Sequence, residues 1–195
     1  MDMNIQFIDI GEYRYPMSFS LACVSQMGNF AQAAKKIEEG QDVAEAANMM
    51  ISMLYLMIDS GCAFMNIMRQ KYDRAPIGED GLLEPIPKDT IGYLIPSDPE
   101  ELKAIVTKIK KCISKSKERK IQAKPLKSSK KKEEKKLQGD SSKYLMVKAY
   151  KIGIPSNEFL VMPLGYLADL TDASVILDGY ADEYIEPEYI NVDLR

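Results

Sequence analysis

Apolar and polar residues alternate through "IQFIDI", Ile5 to Ile10, as they do along a strand with one buried face. Gly11-Glu12 supplies a turn, and "YRYPMSF" returns, with Pro16 confining this strand to an edge. The period then lengthens. From Ser18 to Glu39 it is helical, with a break at Gly28 and Gly40 as the C-terminal stop.

A second helix starts at Asp42 and Glu45, which have capping-box spacing, and runs to Tyr72. Val43, Ala46, Ala47, Met50, Ile51, Leu54, Ile58 and Cys62 fall on one side, while Met49, Met53, Tyr55 and Met57 fill others. A helix apolar on nearly every side belongs at the centre of a fold or at an interface. Pro and Gly then crowd "DRAPIGEDGLLEPIPKDTIGYLIPSDPEE", which reads as a long loop with a short strand at "TIGYLI". Asp98, Pro99 and Glu101 open the next helix, whose stripe is Leu102, Ile105, Val106, Ile109, Cys112 and Ile113.

Beyond Lys115 the stripe stops, and residues 119–140 offer almost nothing to bury. Such composition does not offset the entropy of ordering, so this segment reads as a flexible, lysine-rich tether. Helical spacing resumes with Leu145, Ala149 and Ile152 and is stopped by Gly153. Ser156 can cap a short helix from Asn157, and Pro163 can open another with Leu164, Leu167, Ala168 and Leu170 inward. From Asp169 the tail is acidic, a final helical turn followed by extended chain around Pro187. The fold class is therefore mainly α: a helical body with a short N-terminal β-hairpin (1–118), a disordered Lys-rich tether (119–140) and a small C-terminal helical module (141–195).

Composition narrows the chemistry. The 195 residues include no histidine and no tryptophan, which removes histidine triads and histidine zinc sites. Cys23, Cys62 and Cys112 are widely spaced within apolar patterns and read as buried, reduced thiols. No basic stretch precedes an apolar run at the N-terminus, and "MMISMLYLMI" is too short to cross a bilayer, so a cytoplasmic, soluble protein is expected, without a membrane. Charge is separated: Lys103 to Lys136 holds fifteen of the 26 Lys and Arg residues but three of the 29 acids. That asymmetry points to an anionic partner for the middle or to attraction between the chain's own parts.

Each candidate site has a competing structural reading. The lysine run is a nucleic-acid contact or a solvated tether, and without interleaved aromatics it lacks a stacking platform, which favours the tether. Met50, Met53 and Met57, with Met49, Met65 and Met68, form an adaptable surface for a partner's apolar helices or a methionine-rich core. Asp169, Asp172 and Asp178 lack calcium-loop spacing, so a solvated acidic face is expected and no metal. No phosphate-loop pattern and no activated lysine is present, so catalysis and cofactors are not expected.

Two segments, "IQFIDIGEYRYPMSFSLACVSQMG" and "AYKIGIPSNEFLVMPLGYLADL", with a methionine-rich helical body and a charged low-complexity stretch between them, resemble the tail assembly chaperones of long-tailed bacteriophages of Gram-positive hosts. Leu160 stands where that family often has tryptophan, and Met162-Pro163 lacks the frequent preceding threonine. The resemblance implies a non-enzymatic protein whose partners are the tape-measure protein and the tail-tube protein, with short and long forms often made by a ribosomal frameshift. Self-association is a further possibility. Under the chaperone reading, Met50, Met53 and Met57 in the body and Phe159, Met162 and Leu164 in the module are the partner-binding candidates. The alternatives are a nucleic-acid adaptor acting through the basic middle and a structural virion protein.

Overall fold

The computed structural model describes residues 4–72, 82–96, 98–126 and 141–184. Strands β1 (Gln6–Ile10) and β2 (Tyr13–Met17) pair antiparallel, with Gln6 opposite Met17 and Ile10 opposite Tyr13. Gly11 makes the turn at φ 60°, a conformation that costs little without a Cβ. A 3-10 helix (Leu21–Gln26) then leads into α1 (Met27–Glu39), which ends on Gly40 in the left-handed conformation.

The fold is organised around α2 (Val43–Tyr72). Met50, Met53, Leu54, Met57 and Ile58 are fully buried, surrounded by the hairpin, α1 and α4 (Pro99–Ser116). Burial of each such side chain contributes about 1.5–3 kcal/mol. The helix is long and apolar enough to cross a membrane, although the strictly apolar run within it is not. Here 56% of its most apolar window is packed inside the protein, as a central core helix requires.

Close backbone approach fixes how α2 meets the hairpin. Gly61 lies so near the Pro16 carbonyl that a Cβ would collide with it, and the Ser18 N–H donates to the Met57 carbonyl at 2.9 Å. Helix α4 begins as its sequence requires, with the Asp98 carboxylate accepting from the Glu100 and Glu101 N–H groups. At its other end Ser116 accepts from the Phe19 N–H at 2.9 Å and donates to the Asn4 carbonyl at 3.1 Å. One hydroxyl thereby ties the N-terminus, the segment after β2 and the end of α4.

Four local expectations are corrected. "TIGYLI" is not a strand but belongs mostly to helix α3 (Lys88–Leu94), which buries Ile91 under α2. The capping box at Asp42 and Glu45 does not form, because both carboxylates turn to Lys36 of α1. Ser156 is the first residue of α6 (Ser156–Phe159) rather than its cap, and makes no capping bond. The acidic tail does not leave the helix after one turn: α7 runs Leu164–Leu177.

The C-terminal segment is not suspended away from the body. Helix α5 (Ser141–Lys151), α6 and α7 build a second core in which Ala149, Phe159, Met162 and Leu167 pack with Leu21, Phe64 and Met68. Phe64 meets Tyr166 edge-on, with ring centroids 5.3 Å apart. The start of the expected tether is ordered as well: strand β3 (Ala123–Pro125) pairs antiparallel with β4 (Ala181–Glu183). Residues 127–140, the remainder of that segment, lie outside the described residues, as does the tail beyond Tyr184.

Candidate partner-binding groove

The segments after β2 and before α7 are bonded directly to each other. The Ala22 N–H donates to the Leu160 carbonyl and the Leu164 N–H to the Phe19 carbonyl, both at 3.2 Å, with an antiparallel bridge between Ser20 and Pro163. These bonds pair backbone groups that lie outside any helix or ladder. Asn4 Nδ2 donates to the Glu118 carbonyl at 2.7 Å, and a Cβ on Gly165 would collide with that same carbonyl. Only glycine lets α7 approach this closely.

This junction is fastened by charge. Asp169 of α7 is buried and accepts from Arg119 Nε at 2.8 Å and from the Lys120 and Ile121 N–H groups at 3.0–3.2 Å. Asp172, one turn on, accepts from Arg119 at 2.7 Å and from the Ala123 N–H at 3.2 Å, and lies 3.6 Å from Lys148. Burial alone would lower the Arg119 pKa, but the two carboxylates outweigh it and hold it above its ordinary value. So the basic middle and the acidic C-terminal part attract each other directly, at least through these residues.

Beside the junction lies a groove of about 590 Å³. It is lined by Leu21, Val24 and Met27 from the segment after β2 and by Leu145, Leu164 and Ala168 from the C-terminal helices. Lys117, Arg119 and Lys148 contribute positive charge, against Asp172. Lys117 lies over the Phe19 ring, 5.1 Å from its centroid, and makes no ion pair among the described residues. An apolar trough with cations along it suits a segment that mixes apolar and acidic side chains.

The sequence candidates fare unequally. Met50, Met53 and Met57 belong to the main core with no exposed surface, and Met65 and Met68 are buried too, so the methionine-rich helix is core and not a free partner surface. Phe159 and Met162 are buried in the second core. Of the six named candidates Leu164 alone lines the groove. Sequence reasoning missed Val24, Met27, Leu145 and the three cations. The available signal was Val24 and Met27, two apolar residues three apart in a segment with no clean helical stripe.

No cluster of three or more His, Cys, Asp or Glu residues able to hold a metal occurs among the described residues. The thiols are buried, and desolvation pushes Cys62 up to about 11 and Cys112 up to about 12. No protein-family model, curated protein or solved structure matches the chain.

Proposed function

We propose that the chain is a non-catalytic assembly chaperone for the tails of long-tailed bacteriophages, acting in the host cytoplasm to hold the tape-measure protein and recruit tail-tube subunits. The observation that carries this reading is positional. The groove runs between Leu21–Met27 and Leu164–Ala168, which fall within the two segments that resemble such chaperones. A groove with apolar walls shields apolar side chains of a client without demanding a fixed sequence.

Docking of α5–α7 on the body changes how the two partners would be handled. They would be held on one continuous surface rather than by two units at the ends of a tether. Deleting 143–195 would uncover Phe64 and Met68, so a point substitution in the groove is the cleaner probe.

The test is co-expression with a tape-measure protein encoded beside the chain. A soluble complex that is lost on Val24→Glu, with the variant's own melting temperature preserved, supports the reading. A tape-measure protein that stays insoluble with the wild-type chain refutes it. The nucleic-acid alternative rests chiefly on 127–136, which lie outside the described residues.

A further inference from the structure

We infer that the groove is a docking site for this chain's own acidic C-terminal segment, residues 185–195. Strand β4 delivers the chain to that position. The Tyr184 N–H donates to the Gln122 carbonyl at 2.7 Å, and Gln122 lies three residues from Arg119 on the groove. A peptide covers at most about 3.6 Å per residue, so Arg119 is within about 11 Å of Gln122 along the chain, and the segment's length exceeds the distance it must cover.

Its composition matches the groove. "IEPEYINVDLR" interleaves Glu186, Glu188 and Asp193 with Ile185, Tyr189, Ile190, Val192 and Leu194. The acids complement Lys117, which makes no ion pair among the described residues, whereas Arg119 and Lys148 already face Asp172, and the apolar residues complement Val24, Met27 and Leu145. The other segment outside the described residues, 127–140, is a poorer match. It brings six lysines against Glu133, Glu134 and Asp140, so it repeats the charge of the groove, and Leu137 is its one large apolar residue.

This inference stands apart from the assembly reading, since it concerns contacts within one chain.

Two measurements on the full-length protein test it. An anilinonaphthalene sulfonate dye, both apolar and anionic, serves as the probe of the free groove. Glu186→Lys, Glu188→Lys and Asp193→Lys together should tighten dye binding roughly tenfold, the effect of removing a few exposed ion contacts. Unchanged dye binding overturns the inference. A benzoylphenylalanine at position 189 should crosslink within the same chain to Val24, Met27 or Leu145, read by mass spectrometry. Crosslinks to a second chain, to another face, or to nothing overturn it, even where the charge variant alters the fold.

Discussion

Asp169 and Arg119, fifty residues apart, are joined at 2.8 Å in a pair whose carboxylate side chain is only 9% exposed and whose guanidinium is 29% exposed. The Lys120 and Ile121 N–H groups share the same carboxylate. Asp169→Ala would remove the carboxylate that accepts from three donors. Loss of about 3 kcal/mol in urea unfolding is expected, with Asp169→Asn losing less because its amide oxygen still accepts. A double-mutant cycle with Arg119→Ala should show coupling, and additive losses would mean the pair does not clamp the C-terminal helices.

Gly165→Ala should be as damaging, for a steric reason. Its Cβ would meet the Glu118 carbonyl and Asn4, neither of them the far end of a long flexible side chain. Overpacking of this kind costs typically about 1–3 kcal/mol. The same change at Gly28, where nothing lies within 4 Å, should be neutral or stabilising, since helical alanine is preferred to glycine. Thermal melts of the two variants side by side check this.

Met53 and Met57 distinguish core from contact surface. As buried side chains they should lose about 2–5 kcal/mol on conversion to alanine, whereas Met→Leu should cost under about 1.5 kcal/mol. A partner surface would instead lose affinity with little change in stability, so denaturation and pull-down of the same variants separate the cases.

Burial raises the Asp59 carboxyl above its ordinary value of 3.8. The folded chain thus holds this proton more tightly than the unfolded chain does. The contribution is fully present below the unfolded value and is lost as pH rises through the folded one. Asp59→Asn should therefore be more stable than wild type at pH 7, the gap closing as pH falls through the raised folded value and gone below the ordinary value of 3.8. Urea midpoints measured across that range test the sign.

Thiol labelling gives an independent reading of the cores. With Cys62 pushed up to about 11 and Cys112 up to about 12, little thiolate exists at pH 8, and all three cysteines are buried. Ellman's reagent should react fully in denaturant and slowly in buffer, at a rate set by opening of the fold.

Local chemistry made part of this legible. The hairpin follows from alternation and a Gly11 turn, α4 from its Asp98-Pro99 start, and the two glycine stops from their positions after periodic runs. What escaped was long-range. Ala123–Pro125 and Ala181–Glu183 are three-residue strands with no pattern of their own, ordered by each other. Arg119 looked like one more lysine-tether cation because its two carboxylates are fifty and more residues away. The groove was illegible for the same reason, its lining coming from four separate stretches. Met-rich periodicity, by contrast, was ambiguous in principle, since burial and exposure give helix α2 the same spacing.

Phe64 and Met68 complete their packing only against Phe159, Met162 and Leu167. Roughly a hundred residues must be synthesised after Phe64 before these partners exist, which at about 5–20 residues per second takes on the order of 5–20 s. For that interval the nascent chain carries an aromatic and a methionine side chain whose covering has not yet been synthesised. The protein that we propose protects others from aggregation thus passes through a sticky stage itself.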